Sequence, residues 1–144
     1  MRIISGSARG RKLEAPQGAT RPTSDRAREG VFSTISSLFG ELHDLRVLDL
    51  YAGTGALGLE AASRGATSVD LIENDPKAVV VCRSNIEKMG FSGVQVHALA
   101  VEKWLTQDVA PAPYDIVLID PPYSLANERV EHCLLYTSPS PRDS

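Results

Sequence analysis

The chain has 144 residues, of which 42% are hydrophobic and 23% are charged, a composition typical of a globular domain and unlike that of a disordered chain. The longest apolar run covers residues 78–82, far short of the roughly 18 residues of a membrane span, and no secretory signal precedes it. The two cysteines, Cys82 and Cys133, lack metal-ligand spacing. We therefore expect a monomeric cytoplasmic protein without a metal site.

Charge is distributed unevenly along the chain. The net charge is −3, yet residues 1–30 contain seven Lys or Arg and only three Asp or Glu. A basic segment on an acidic body is typical of a protein that binds a polyanion. A solvated surface segment explains the same charges equally well.

The first third of the chain predicts a hairpin and a helix. Residues 2–5 and 11–15 favour strands around a small-residue turn, which indicates a basic arm over residues 1–22. A helix is predicted over residues 24–39, capped by Thr23 or Ser24. Its predicted apolar face consists of Ala27, Val31, Ile35, Leu38 and Phe39.

From residue 46 onward, strands and helices alternate. Strands are predicted at residues 47–50, 68–72, 94–97 and 114–119, and helices at residues 57–64, 76–89 and 101–105. Asp75 caps the second of these helices, with Pro76 at its first position and Gly90 at its end. Its predicted apolar face consists of Val79, Cys82, Ile86 and Met89. Crossovers of this length predict an α/β fold with a doubly wound parallel sheet.

The last residues lack the periodicity of the rest. Residues 136–144 contain two prolines and follow a partial helical pattern at residues 127–135. A doubly wound sheet that stops after four strands suggests a truncated domain over residues 23–135, followed by a non-native or disordered tail. Residues 1–22 are then a separate basic arm.

A glycine-rich turn follows the first predicted strand. Residues 53–58 match GxGxxG between a strand and a helix, an arrangement that lets a ligand approach the backbone closely. Glu73 lies 20 residues after Gly53, at the end of the second strand. A carboxylate there can accept hydrogen bonds from both ribose hydroxyls. The two features together predict a nucleoside-bearing cofactor.

An acidic residue on the strand that precedes this turn favours one class of cofactor. Asp49 lies four residues before Gly53, where its negative charge suits an ammonium group better than a pyrophosphate. S-adenosylmethionine carries an α-ammonium group and a sulfonium and has no phosphate. The sequence therefore favours S-adenosylmethionine over NAD, although a carboxylate bonded only to the amides of the turn remains an alternative interpretation of Asp49.

Asp120, Pro121, Pro122 and Tyr123 follow the fourth predicted strand, at the sheet edge where ligands bind. The Asp120 carboxylate and the Pro121 carbonyl can accept hydrogen bonds from an exocyclic amine of a nucleobase and direct its lone pair outward. Tyr123 offers a face on which the base can stack. The motif indicates transfer of a methyl group to an amine.

These motifs resemble those of class I S-adenosylmethionine-dependent amino-methyltransferases. With the basic head and residues 21–29 (RPTSDRARE), they resemble the bacterial family that methylates guanine N2 in small-subunit (16S) ribosomal RNA. The resemblance implies a Rossmann-like fold. It implies a cofactor site of Asp49, Tyr51, Gly53, Thr54, Gly55 and Glu73. It implies a catalytic motif of Asp120, Pro121, Pro122 and Tyr123. It implies RNA contacts by Arg2, Arg9, Arg11, Lys12, Arg21 and Arg26.

Three alternatives remain open. The motif after the fourth strand is shared with DNA adenine-N6 methyltransferases, although the chain has no room for a target-recognition segment. A NAD-linked oxidoreductase would also use a glycine turn, and an inactive fragment could still bind RNA or cofactor. Residues 98–101 carry no polar residue for adenine, and His97 is interpreted as a surface or strand residue.

Overall fold

The computed structural model describes residues 1–15, 24–107 and 113–121. Within these ranges, four helices accompany four parallel strands in the sheet order β3-β2-β1-β4. The helices are α1 (Asp25–Phe39), α2 (Ala56–Ser63), α3 (Pro76–Met89) and α4 (Val101–Leu105). The strands are β1 (Arg46–Leu50), β2 (Ser68–Glu73), β3 (Val94–Ala98) and β4 (Ile116–Ile119). The predicted doubly wound parallel sheet is confirmed.

The strand register decides which residues meet at the carboxyl edge of the sheet. Leu50 on β1 is paired with Ile72 on β2 and with Ile119 on β4, so these three strands end together. The chain order reverses between β1 and β4, which makes this edge a topological switch point, the usual ligand site of such sheets. No helix among the described residues is long and apolar enough to cross a membrane.

Local sequence signals place the boundaries of α3. The Asp75 side chain accepts a hydrogen bond from the Lys77 amide (3.2 Å), Pro76 occupies the first turn, and Gly90 ends the helix in the left-handed conformation. Each feature acts within a few residues along the chain. The predicted bounds of this helix are therefore confirmed, whereas β4 begins two residues later than predicted.

The apolar face predicted for α1 is wrong except at Ile35, which is buried. The helix buries Arg28, Phe32 and Ile35, whereas Leu38 is 74% exposed. Three other residues of the predicted face are also exposed: Ala27, Val31 and Phe39. The buried guanidinium of Arg28 lies 2.9 Å from the carboxylate of Asp25 and 3.6 Å from that of Glu60 on α2, and its Nε and Nη1 make no hydrogen bond among the described residues. The buried face of α1 therefore lies about one residue from the face that hydrophobicity alone predicts, and it includes a charged side chain.

Residues 1–15, named here the N-terminal hairpin, form one antiparallel bridge between Arg2 and Lys12 and no longer strand. The Ile3 amide donates to the Arg11 carbonyl at 2.9 Å. The apolar side chains of the hairpin are part of the main core: Ile3, Ala8 and Leu13. The basic charges therefore stand on a segment that is packed against the sheet domain.

Polar side chains of α2 attach the hairpin. Glu60, fully buried, accepts the amides of Ile4 (2.9 Å) and Ser5 (3.1 Å). The Ser63 hydroxyl accepts the Ala8 amide at 2.9 Å. A Cβ atom on Gly6 would lie 1.9 Å from the Ser63 carbonyl oxygen, so this close approach requires glycine.

Candidate active site

The candidate site lies at the common end of β1, β2 and β4. Asp49 is on β1, Glu73 is the last residue of β2, and Asp120 directly follows β4. A glycine turn (residues 51–55) leaves β1 between them and leads into α2. Parallel pairing therefore brings together three acids that are far apart in the sequence, as the motifs predict.

The glycine turn adopts a backbone conformation that most residues avoid. Gly53 and Gly55 have φ angles of 59° and 87°, and Tyr51, a bulky residue, has a φ angle of 60°. A Cβ atom on Gly53 would meet nothing within 4 Å, so the backbone there faces open space. Left-handed backbone at a non-glycine residue costs free energy and is concentrated at functional sites. The turn is therefore shaped to leave room beside its backbone.

Glu73 holds the turn as well as facing the site. One carboxylate oxygen accepts the Gly53 amide at 2.7 Å, and the other accepts the Asp75 amide at 3.0 Å. Each carboxylate oxygen has a second lone pair. The side chain is partly exposed, so these remaining lone pairs can meet a ligand. The sequence predicts the ligand-facing role and misses the bond to Gly53.

Asp49 is 1% exposed, and only one of its two carboxylate oxygens accepts a hydrogen bond from the described residues. Its Oδ2 accepts the Gly58 amide at 3.0 Å, whereas Oδ1 has no hydrogen-bond partner among the described residues. Burial raises the pKa of Asp49 to about 8, and the negative charges of Asp120 and Glu73 add to this rise against the opposing effect of the Gly58 hydrogen bond. Such a carboxylate gains from a cationic hydrogen-bond donor placed against Oδ1.

Gly58 allows α2 to approach β1 and β2 closely. A Cβ atom there would lie 2.1 Å from a Leu71 methyl and 3.3 Å from Asp49 Oδ2. Because Gly58 has no side chain, its amide can approach Asp49 closely enough to donate a hydrogen bond. The third glycine of GxGxxG thus shapes the packing of α2 and the carboxylate behind the turn.

The residues after β4 are described in part. Asp120 and Pro121 are both half-buried, directly beyond the pairing of Leu50 with Ile119. The charge of Asp120 contributes to the raised pKa of Asp49, so the two acids share one edge of the sheet. Pro122 and Tyr123 lie outside the described residues, and their roles stay predictions.

The basic residues predicted to contact RNA lie on the surface. Arg2, Arg9, Arg11 and Lys12 are exposed on the N-terminal hairpin, and Arg26 is exposed on α1. The Arg11 guanidinium donates to the Lys88 carbonyl at the end of α3 (2.8 Å). Arg21 lies outside the described residues. RNA contact by this set stays a prediction.

The His97 side chain is engaged by a neighbouring strand. Its ring nitrogen lies 2.9 Å from Asp70, whose other carboxylate oxygen accepts the Tyr114 hydroxyl at 2.6 Å. Burial and the hydrogen bond to Asp70 raise the pKa of Tyr114. This cluster links β2, β3 and the start of β4, so His97 is a strand residue, as interpreted from the sequence.

Sequence reasoning missed a buried polar residue beside the turn. The predicted buried face of α3 included Ile86 and left out its neighbour Asn85. In the structure Asn85 is fully buried, whereas Ile86 is half-buried. The Asn85 amide donates to the Thr54 carbonyl at 3.1 Å. The available signal was its spacing, because Asn85 lies three residues after Cys82 and four before Met89, on one face of the helix.

Similarity to known proteins points to one family of enzymes. The Ribosomal RNA small subunit methyltransferase D of Escherichia coli (strain K12) is 38% identical over 124 residues, which are 85% of this chain and 60% of that protein. The Putative rRNA methyltransferase YlbH of Bacillus subtilis (strain 168) is 37% identical over 126 residues, 85% of this chain and 67% of that protein. The chain therefore spans about three fifths to two thirds of these relatives' lengths.

A solved structure gives the same result for the fold. A putative methyltransferase from Escherichia coli superposes with a TM-score of 0.83 at 35% identity, covering 97% of this chain and 73% of that one. The predicted Rossmann-like methyltransferase fold is thereby confirmed. The family described as Conserved hypothetical protein 95 matches residues 1–138. The motif-based resemblance to small-subunit rRNA methyltransferases is thus confirmed, and the chain belongs to the family described as Conserved hypothetical protein 95.

Proposed function

We propose that this protein transfers a methyl group from S-adenosylmethionine to the exocyclic N2 amine of a guanine in small-subunit (16S) ribosomal RNA. The observation that carries the proposal is Asp49, a buried carboxylate with an unpartnered oxygen, among the described residues, beside the glycine turn. Two further acids, Glu73 and Asp120, end neighbouring strands at the same edge. The named rRNA methyltransferase relatives supply the substrate class.

The residues present fit the cofactor. Asp49 Oδ1 is an acceptor suited to the α-ammonium group, and Glu73 offers its remaining lone pairs to the ribose hydroxyls. Residues 51–55 leave open space beside Gly53 for a ligand. The acids Glu73 and Asp120 at this edge disfavour a pyrophosphate, and Asp49 Oδ1 gains a partner from an ammonium group, so the site is better suited to this cofactor than to NAD. When bound, S-adenosylmethionine supplies a methyl group activated by a sulfonium.

The substrate side is formed by the residues after β4. The Asp120 carboxylate and the Pro121 carbonyl accept the two N–H groups of the guanine amine and turn its lone pair outward. Pro122 and Tyr123 lie outside the described residues, and the sequence predicts that the proline stiffens this corner and that the tyrosine stacks on the base. The target amine is thereby aligned for reaction, and this alignment is the main contribution of these residues.

No strong base is needed to deprotonate the guanine amine before the methyl group is transferred. A guanine amine is a weak nucleophile because its lone pair is delocalised into the ring. Once the nitrogen has formed its new bond it becomes acidic, and the proton can leave to Asp120 or to solvent. Before the transfer, Asp120 therefore acts as a hydrogen-bond acceptor that orients the amine.

RNA is proposed to bind across the N-terminal hairpin. Arg2, Arg9, Arg11 and Lys12 present exposed positive charge there, and Arg21 and Arg26 lie closer in sequence to the start of α1. Contacts of this kind neutralise phosphates and position the substrate without reading its bases. The hairpin is docked on α2 and α3 by hydrogen bonds, which supports a role in positioning RNA relative to the sheet edge.

The proposed reaction is tested by methyl transfer from labelled donor. Small-subunit particles, naked ribosomal RNA and duplex DNA are offered separately, and labelled nucleosides are identified after digestion. We expect label in guanine N2 of ribosomal RNA. Label confined to adenine in DNA would contradict the proposal, as would RNA binding without any affinity for S-adenosylhomocysteine.

A further inference from the structure

Asn85 connects two parts of the molecule that are far apart in sequence. Its side-chain oxygen accepts the Glu14 amide at 2.9 Å, and its side-chain nitrogen donates to the Glu14 carbonyl at 3.1 Å. The same nitrogen donates to the Thr54 carbonyl at 3.1 Å. One fully buried amide thus joins the end of the N-terminal hairpin to the glycine turn.

The contact with Glu14 orients the amide of Asn85. Two hydrogen bonds to the backbone of one residue fix the plane of the side chain and decide which end is oxygen and which is nitrogen. The second N–H of the side chain is then directed at Thr54. The hairpin thus contacts the same side chain that donates to the turn.

The contact with Thr54 fixes a single peptide unit of the turn. The Thr54 carbonyl accepts from Asn85, and the Gly55 amide of the same planar unit donates to the Ala52 carbonyl at 2.9 Å. Gly53 and Gly55 on either side both have positive φ angles and could otherwise rotate with little steric cost. The hydrogen bonds at the Thr54 carbonyl and the Gly55 amide restrict rotation of this peptide unit and so preserve the open space beside Gly53.

We propose that Asn85 is a positioning residue that holds the Thr54–Gly55 peptide in its cofactor-binding conformation, and that docking of the N-terminal hairpin thereby sets the affinity for the cofactor. This inference rests on the proposed use of S-adenosylmethionine. It gives the hairpin a second role besides RNA contact, because a change in its docking reaches the cofactor turn through one side chain.

The test measures binding of S-adenosylhomocysteine to the whole chain by isothermal titration calorimetry, at a temperature where circular dichroism shows every variant folded. Asn85→Ala removes all three hydrogen bonds, and we expect binding about tenfold weaker than in the unaltered chain. Met89→Ala removes a buried side chain one turn further along α3 and is the matched control. It should lower the unfolding temperature while changing the affinity less than about twofold.

A second pair of variants tests the hairpin side of the link. Glu14→Pro removes the amide that orients Asn85, whereas Glu14→Ala keeps that amide and removes the exposed carboxylate with its contacts to Ser84 (3.1 Å) and Lys88 (3.6 Å) on α3. We expect weaker binding for the proline variant alone. This pair decides the question if Asn85→Ala does not fold.

The outcomes separate this inference from the proposed function. If the unaltered chain does not bind S-adenosylhomocysteine, the proposed function fails. If it binds and the Asn85→Ala and Glu14→Pro variants bind equally well, only the positioning role is overturned. Equal weakening by Met89→Ala would also overturn it, because the effect would then follow from reduced stability.

Discussion

The attachment of the N-terminal hairpin and the carboxyl edge of the sheet use buried acids in opposite ways. Glu60 lies under the hairpin with both oxygens engaged by amides and arginines. Asp49 lies under the glycine turn with one oxygen unpartnered among the described residues and with other acids as neighbours. A satisfied buried carboxylate stabilises a fold, whereas an unsatisfied one among like charges costs stability and is suited to a ligand.

The largest expected effect is on folding. Glu60→Ala removes the partner of buried Arg28 and leaves two hairpin amides without acceptors, so we expect the free energy of unfolding to fall by about 3–5 kcal/mol. Denaturant titration measures it. Glu41, exposed and paired with His43, is the matched control, and Glu41→Ala should change little. Similar values for both variants would show that the buried network does not hold the hairpin.

The second largest effect is expected on methyl transfer, and it distinguishes the substrate side of the candidate site from its cofactor side. In a full-length relative, replacement of the residue corresponding to Asp120 by Ala should lower methyl transfer by about a hundredfold or more while cofactor affinity stays within a few-fold, because the amine is no longer oriented. Replacement of the Glu73 counterpart by Ala should weaken cofactor binding first. Turnover and calorimetry on the same samples measure both. Near-normal turnover without the Asp120 carboxylate would refute its orienting role.

A smaller effect is expected in proton release. With the pKa of Asp49 raised to about 8, this carboxyl group is mostly protonated in the free protein near neutral pH, and a bound cation favours its ionised form. Cofactor binding should then release a proton, seen as a heat that varies with the buffer. Asp49→Asn should abolish the release. Asp75→Asn, which keeps its cap on α3, should preserve it, and a buffer-independent heat in the unaltered chain would contradict the prediction.

The same raised pKa has a defined effect on stability. Between the ordinary range of an aspartate and about pH 8, the unfolded chain releases this proton and the folded chain retains it. Asp49 therefore contributes stability at low pH that is lost as the pH rises toward about 8. Asn at this position should flatten that part of the profile, which denaturant titration at several pH values measures. No change would show that Asp49 is ionised when buried.

The smallest effect concerns the hairpin surface. Reversing the charges of Arg9, Arg11 and Lys12 should weaken RNA binding and make it less dependent on salt, by roughly 0.7–0.9 units of slope for each phosphate that these side chains no longer neutralise. Fluorescence anisotropy at several salt concentrations measures it. Lys103→Glu, on the exposed part of α4, is the control. An unchanged slope would show that these three side chains do not neutralise RNA phosphates.

The sequence alone determined the features that depend on neighbouring residues. Asp75, Pro76 and Gly90 set the bounds of α3, and the spacing of Gly53 and Glu73 set the turn and the acid beside it. The capping residues act through backbone preferences and hydrogen bonds within a few positions. The alternation of strands and helices then predicted the parallel sheet and the edge at which the acids meet.

The tertiary structure alone decided the features that join distant residues. The buried face of α1 includes Arg28, which lies 3.6 Å from Glu60 on α2, and the role of Asn85 depends on Glu14, 71 residues earlier. Periodicity treats such polar residues as exposed, because it holds no information about a partner far along the chain. Asn85 can be buried because its hydrogen bonds are met, and only the folded molecule shows where the partners are.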